Sequence, residues 1–161
     1  MKQLILVRHG KSSWENNLPD EKRPLKKRAY SDAALVLKTF KEFKSGDLVL
    51  WSSPAVRAYT TAKIFKEELQ IPDTSFKVKK ELYTFDEVQL LSVIKSCSRE
   101  VEKLMVFAHN PALTSLVNKL GDKTLDNLPT TGLCVIDFDI DNWNDLKNGK
   151  TLLQLFPKNL R

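Results

Sequence analysis

LILVRHG, residues 4–10, is a continuous apolar run that leads directly into an arginine, a histidine and a glycine. A run of this kind, without polar alternation, is typical of a strand that is buried on both faces. We therefore predict a strand over residues 3–8. Two later segments, LVLWSSP at 48–54 and LMVFAHNP at 104–111, repeat the pattern and end in a proline. They predict strands over 47–51 and 103–108.

Amphipathic segments lie between these strands. Residues 27–44 carry apolar side chains at three- and four-residue spacing, which gives a helix one buried face. Ser53 as N-cap and Pro54 as first helical residue predict a second helix, and Asn110-Pro111 predicts another that reaches about residue 120. The remaining predicted elements are loops at 9–26 and 121–131, a helix at 86–97, and strands at 76–79, 132–140 and 151–156.

Strands that alternate with helices form mostly parallel sheets with helices on both faces. At 161 residues the chain has the length of one domain, so we predict a single α/β domain over residues 1–161. Ligands of such folds bind outside the carboxyl ends of the strands. Arg8, His9 and His109 follow strand ends. Arg57 lies in a first helical turn, where free amide groups and the helix dipole favour anions.

These four side chains are suited to a phosphoryl group. Neutral imidazole is a nucleophile near pH 7, and nearby arginines would lower the pKa of His9 and keep it neutral. The guanidinium groups of Arg8 and Arg57 can hold phosphate oxygens through paired hydrogen bonds, and His109 can donate another. Taken alone, each motif is as typical of a surface polar pair or an ordinary helix start as it is of a catalytic site. Their joint occurrence at strand ends favours catalysis.

The overall charge narrows the choice of partners. The chain has 26 Lys and Arg against 20 Asp and Glu, a formal net charge of +6. A basic protein can bind nucleic acid, a membrane surface or small anions. Here the lysines are spread along helical segments without interleaved aromatic residues, so we expect a solvated surface and no nucleic-acid partner.

The apolar segments and the cysteines bear on location. No stretch approaches the roughly 20 apolar residues of a membrane span, and the N-terminal apolar run is too short for a signal peptide. We therefore expect a cytoplasmic protein with no membrane partner. Cys97 and Cys134 lack the CxxC spacing of zinc or redox motifs, which predicts ordinary core thiols and no metal site.

The motifs resemble those of the histidine phosphatase superfamily, also called phosphoglycerate mutase-like. RHG at 8–10 and SPxxRAxxT at 53–61 match its first two blocks, and His109 matches the third. More narrowly, the chain resembles bacterial phosphohistidine phosphatases of the SixA type. That resemblance is carried by KSSW at 11–14, RPLxxR at 23–28, HNP at 109–111 and LPT at 128–130.

The resemblance implies a three-layer α/β/α sandwich with a mixed, mostly parallel sheet. It implies that His9 is transiently phosphorylated and then hydrolysed, while Arg8, Arg57 and His109 hold the phosphoryl group. It also implies that no metal or organic cofactor is required.

Three more side chains within the matched motifs are candidate substrate-binding residues: Ser12, Arg23 and Asn110. Arg23 belongs to the densest basic segment, residues 22–28. This segment follows the first strand, so it could overhang the pocket, with Arg23 as a rim contact to an acidic substrate. A solvated loop and helix start is an equally good interpretation of the segment.

One departure from the family bears on the substrate. Larger members carry a catalytic glutamate two residues after a leucine, but here Leu82 is followed at that place by Thr84. The acids within reach are Glu81, Asp86 and Glu87, which we interpret as a solvated loop and helix start. Alkoxide groups leave slowly without a strong general acid. An N–P bond is more labile, so the sequence favours a phosphohistidine or another phosphoramidate.

The sequence thus predicts a monomeric phosphatase with a histidine nucleophile, acting on a protein that carries phosphohistidine. The same mechanism on a small phosphorylated metabolite is one alternative. The other is a catalytically weak phosphate-binding or interaction module, which the missing acid suggests and the intact histidines and arginines oppose. The chain is short and lacks large insertions that would build a closed pocket over a small molecule, which mildly favours a protein substrate.

Overall fold

The computed structural model describes all residues 1–161 and contains one six-stranded sheet. The strands lie in the order β3-β2-β4-β1-β5-β6, and every strand except β5 runs in the same direction. The predicted mixed, mostly parallel sheet is therefore confirmed, and the last two strands pair antiparallel. The strands are β1 Lys2–Arg8, β2 Val49–Ser52, β3 Phe76–Val78, β4 Lys103–Ala108, β5 Leu133–Phe138 and β6 Lys150–Leu155.

Helices cover both faces of this sheet. Successive side chains of a strand point to opposite faces, so Leu4 and Leu6 of β1 pack with α3 and α4, whereas Ile5 and Val7 pack with α1 and α2. This confirms the three-layer α/β/α sandwich. None of the helices is both long and apolar enough to cross a membrane. The helices are α1 Arg28–Phe43, α2 Val56–Glu68, α3 Glu87–Lys95, α4 Ala112–Leu120 and α5 Pro157–Leu160.

Two predicted helix starts come too early, that of α2 by two residues and that of α4 by one. α2 begins at Val56 rather than at Pro54, because the Ser53 N–H still donates to Phe107 O of β4 (3.0 Å) and keeps the chain extended. α4 likewise begins at Ala112, after Asn110-Pro111. Residues 9–26 are also more ordered than the predicted loop. They contain 3₁₀ turns at 15–17 and 20–22 and a β-bridge between residues 12 and 25.

The two cysteines are core residues. Cys97 and Cys134 are both free and buried, and burial raises the pKa of each thiol to about 11. A thiol with so high a pKa carries almost no thiolate at neutral pH and is a poor nucleophile or metal ligand.

The register of the parallel strands sets the position of the site. Arg8 of β1 lies opposite Ala108 of β4, and Ser52 of β2 lies opposite Phe107. The residues that follow these strands therefore meet at one edge of the sheet, as expected for carboxyl ends of parallel strands.

Candidate active site

A cavity of about 290 Å³ opens at this edge. All of the residues predicted from the sequence for the site line it, although they come from four separate segments. These residues are Arg8, His9, Ser12, Arg23, Arg57, His109 and Asn110. The cavity wall also includes Lys11, Trp14, Asp20, Phe85 and Thr130.

His9 is buried and held in one tautomer. Its Nδ1 lies 2.8 Å from Gly10 O, and since a carbonyl oxygen can only accept, Nδ1 carries the proton. The lone pair is therefore on Nε2, which accepts a hydrogen bond from Arg57 Nε (3.3 Å). Burial above all, with the positive charges of Arg57 and Arg8, lowers the pKa of His9 to about 4 and outweighs the hydrogen bond to Gly10. His9 is thus a neutral imidazole with a free electron pair at neutral pH.

The turn after β1 brings His9 and Arg57 together. A Cβ on Gly10 would lie 2.7 Å from Ala29 Cβ, so only glycine lets this turn pack so closely on the start of α1. The Gly10 N–H donates to Thr61 Oγ1 (2.9 Å), and that hydroxyl donates to Arg57 O (2.7 Å). Thr61 therefore links the end of β1 to the first turn of α2, where Arg57 lies.

His109 is also buried, and its ring centroid lies 5.3 Å from that of His9. Its Nε2 is 2.8 Å from Ser53 Oγ, and its Nδ1 is 3.4 Å from Arg57 Nη2. Burial, followed by the charges of His9 and Arg57, lowers the pKa of His109 to about 3. Ser53 thus orients this ring. From the sequence, Ser53 is predicted as a helix N-cap, because its pairing with His109 depends on strand register.

Arg8 keeps hydrogen-bonding capacity for a ligand. Its Nη1 donates to Leu128 O (3.0 Å), whereas its Nε is buried and has no partner. Burial and the neighbouring charge of Arg57 lower the pKa of Arg8. An unsatisfied buried donor is costly, and a bound oxyanion would relieve both this cost and the mutual repulsion of the arginines.

Asp20 is the main site residue that the sequence analysis missed. Its Oδ2 accepts hydrogen bonds from Arg57 Nη2 (3.0 Å) and Tyr83 Oη (2.5 Å), and its backbone oxygen accepts from Arg57 Nη1 (2.7 Å). Partial burial raises the pKa of Asp20, but the hydrogen bonds from Tyr83 and Arg57 outweigh it and lower that pKa to about 2. The carboxylate is therefore ionised. Asp20 occupies both terminal nitrogens of Arg57, Nη2 through its carboxylate and Nη1 through its backbone oxygen.

A bound phosphate would compete with Asp20 for Arg57. We expect Asp20→Asn, which removes the charge, to bind inorganic phosphate more tightly than the wild type. Because the Asp20 side chain is 40% exposed and screened by solvent, the gain should be roughly twofold to fivefold in Kd. Isothermal titration with phosphate measures it. Glu21→Gln, an exposed neighbour outside the cavity wall, is the matched control. Equal or weaker binding by Asp20→Asn would contradict this competition.

Arg23 does not lie on the rim as predicted. It is only 6% exposed, its guanidinium lies 3.5 Å from the centroid of the Trp14 ring, and its Nε donates to Asp20 Oδ1 (3.2 Å). Its Nη1 donates to Ser12 Oγ (2.8 Å). These groups cover Arg23 and accept its hydrogen bonds, so Arg23 is part of the cavity wall. Ser12 accepts from Arg23 and keeps its hydroxyl proton for a ligand.

Asn110 lines the cavity, but its amide group is fully engaged elsewhere. Its Oδ1 accepts from the N–H (3.0 Å) and the hydroxyl (2.9 Å) of Thr114. Its Nδ2 donates to Asn127 Oδ1 (3.2 Å) and Leu128 O (3.0 Å). These bonds hold the segment before β5 against α4. We therefore remove Asn110 from the candidate substrate-binding residues and assign it to the support of the cavity wall.

The acids near Thr84 lie outside the cavity. Asp86 caps the N-terminus of α3, Glu87 pairs with Lys119 (3.3 Å), and Glu81 is exposed. The carboxylate in the cavity wall is that of Asp20. The site thus combines two histidines and three arginines with one ionised carboxylate, which is paired with Arg23 and Arg57.

Comparisons with known proteins agree with this geometry. The model of the histidine phosphatase superfamily (branch 1) matches residues 4–86. The structure of the protein histidine phosphatase SixA complexed with tungstate is 25% identical, with a TM-score of 0.83 over 99% of each chain. The SixA protein of Agrobacterium tumefaciens is 23% identical, with a TM-score of 0.78 over 97% of this chain and 98% of that one.

A mycobacterial glucosyl-3-phosphoglycerate phosphatase shares the fold at 12% identity, with a TM-score of 0.69 over 95% of this chain and 98% of the other. A search of curated protein sequences found no match.

Proposed function

The chain belongs to branch 1 of the histidine phosphatase superfamily, and we propose that this phosphatase removes the phosphoryl group from phosphohistidine on a protein. The observation that carries the proposal is the state of His9. Its unprotonated Nε2 lies 3.3 Å from Arg57 Nε within a cavity that presents Arg8 and His109 as well. A nucleophile among hydrogen-bond donors is what phosphoryl transfer requires.

The reaction proceeds through a phosphorylated His9. The Nε2 electron pair forms a bond to phosphorus while the bond from phosphorus to the substrate nitrogen breaks. The imidazole of the substrate leaves as a neutral ring when its distal nitrogen is protonated. Water then attacks phosphorus, the P–Nε2 bond breaks, and phosphate is released with His9 restored. Arg8 and Arg57 donate to the phosphoryl oxygens in both steps, and His109 joins them when its Nε2–H turns from Ser53 Oγ to a phosphoryl oxygen.

The acid–base properties of the cavity favour a nitrogen leaving group. Asp20 is the carboxylate in the wall, and with a pKa of about 2 it holds no proton to give at neutral pH. A phosphate ester would therefore have to expel an alkoxide without a general acid. A phosphohistidine needs no such donor.

The mouth of the cavity favours a protein substrate. Trp14 and Phe85 line it and are 74% and 49% exposed. Large exposed aromatic side chains beside a site are typical of surfaces that bind proteins. The SixA structure that this chain resembles at 25% identity is that of a protein histidine phosphatase. We also propose action as a monomer in the cytoplasm, a reducing compartment in which the free thiols of Cys97 and Cys134 persist.

Turnover of a phosphohistidine-bearing carrier domain against a panel of phosphate monoesters tests this function. We expect kcat/KM for phosphohistidine to exceed that for alkyl esters by roughly 100-fold or more, the usual contribution of a general acid. The same assays with His9→Ala give the background. Equal or better ester turnover would favour a small phosphorylated metabolite instead. Tight phosphate binding without any turnover would favour a binding module.

A further inference from the structure

A second cavity, of about 200 Å³, adjoins the catalytic cavity. Lys11 and Thr130 line both, so the two cavities are neighbours that share part of a wall. The second cavity extends from there to α1 and α5. Its other lining residues are Arg28, Asp32, Pro129, Pro157, Lys158 and Arg161.

The charges in this second cavity are unbalanced. Its wall carries four cationic side chains against the single carboxylate of Asp32. Arg161 Nη2 lies 2.8 Å from Asp32 Oδ1, and Arg28 Nε lies 3.7 Å from Asp32 Oδ2. The amino groups of Lys11 and Lys158 make no hydrogen bond or ion pair. The side chains around this depression therefore carry a net charge of +3, which favours a bound anion.

The second cavity differs from a group of solvated surface cations because a buried carboxylate holds its arginines in place. Asp32 is 3% exposed on the inner side of α1 and anchors both arginines. Each arginine uses a single nitrogen on Asp32, so each retains N–H groups for another acceptor. Guanidinium groups with a fixed plane are suited to carboxylate and phosphate oxygens. The unpaired ammonium groups add positive charge from the two sides of the depression.

We propose that this second cavity is an anion-binding subsite, which takes a carboxylate or phosphate group carried by the same substrate beside its reacting phosphoryl group. The inference rests on the proposed function only for the identity of that substrate. On a protein the anionic group would be an aspartate or glutamate close to the phosphohistidine. On a small molecule it would be a second phosphate. The subsite thus selects substrates with two anionic groups.

Binding of inorganic phosphate, followed by NMR of the backbone amides, tests the subsite without turnover. We expect shifts at Arg28 and Lys158 as well as at Gly10. Lys158→Glu should remove the shifts at positions 28 and 158, which we call the second-cavity set, and keep the shift at Gly10. Lys147→Glu is the matched control, since this exposed lysine lies in the β5–β6 loop at the opposite edge of the sheet. Shifts confined to the catalytic cavity, or a second set that survives Lys158→Glu, would overturn the subsite.

The same titration separates this inference from the proposed function. Phosphate that perturbs Lys158 but never Gly10 would contradict the catalytic assignment and leave the subsite intact. The reverse pattern would overturn the subsite and leave the catalytic assignment intact.

Kinetics then distinguish the two sources of the anion. One arm compares phosphohistidine peptides with glutamate or glutamine neighbours. The other compares small N-phosphorylated compounds with and without a second phosphate on an alkyl linker. We expect Lys158→Glu to raise KM about tenfold for the doubly anionic member of one arm, the usual loss for a charged hydrogen bond. For the singly anionic members, Lys158→Glu should change KM little. Lys147→Glu should change KM little for every substrate. Unchanged KM in both arms would overturn the substrate-selecting role.

Discussion

Replacement of His9 by alanine is expected to abolish phosphatase turnover, with kcat falling by at least about 10⁴-fold, as for other covalent nucleophiles. The reason is that no other side chain in the cavity can replace it. His109 uses both ring nitrogens on Ser53 and Arg57, and Asp20 is held by Arg57 and Tyr83. Steady-state assays on a phosphohistidine carrier measure the loss.

His9→Ala should still fold and bind phosphate, because the arginines and His109 remain. Thermal unfolding and phosphate titration of the variant therefore serve as its controls. The direct readout is a covalent label. Brief exposure of the wild type to a reactive phosphoryl donor should leave a label that is acid-labile and base-stable, and His9→Ala should show none. A fully active variant, or an acid-stable label, would contradict the mechanism.

Arg57→Ala should lower kcat/KM by roughly 10²–10³-fold, the usual cost of one preorganised donor to a developing anion. Arg57 is buried beside both imidazoles, with Nε at 3.3 Å from His9 Nε2 and Nη2 at 3.4 Å from His109 Nδ1. A phosphoryl group on His9 would therefore meet this guanidinium directly. Arg57→Lys should recover only part of the loss, since one ammonium group cannot replace the planar, multidentate donor.

Added guanidinium ion should partly rescue Arg57→Ala but not His9→Ala, because it restores the missing donor and not a nucleophile. This rescue separates a chemical role of Arg57 from a merely structural one. Arg99→Ala, at an exposed arginine before β4, is the matched control and should keep full activity. A loss below about twofold for Arg57→Ala, within ordinary surface effects, would remove Arg57 from the mechanism.

The strand ends could be located from the sequence because burial on both faces imposes a simple pattern. β1 and β4 are each continuous apolar runs, and the polar residues that follow them can only lie at the edge of the sheet. Parallel pairing then brings Arg8, His9 and His109 to one edge, and a helix start adds Arg57. For these residues the local sequence pattern and the sheet topology both predict a position at the same edge of the sheet.

The sequence was less informative where a side chain finds its partner through the folded loop. Asp20 meets Arg57 and Tyr83, which are far from it along the chain, only after residues 9–26 fold back over the sheet edge. No periodicity marks such a contact. Arg23 was placed on the rim for the same reason, since Trp14 and Ser12 cover it only in the folded loop.

The layered sheet and the four side chains at its edge could be predicted from the amino-acid pattern, because hydrophobic periodicity and strand ends are local properties. The folded molecule was needed to find the proton position on His9, the pairing of Asp20 with Arg57, the structural engagement of Asn110 and the second cationic cavity between α1 and α5. The pairing of Asp20 and the second cavity depend on distances between groups far apart in the chain, and the hydrogen bonds of His9 and Asn110 depend on the backbone conformation of the packed molecule. Hydrogen bonds and charge pairing act through such distances, and only packing sets them.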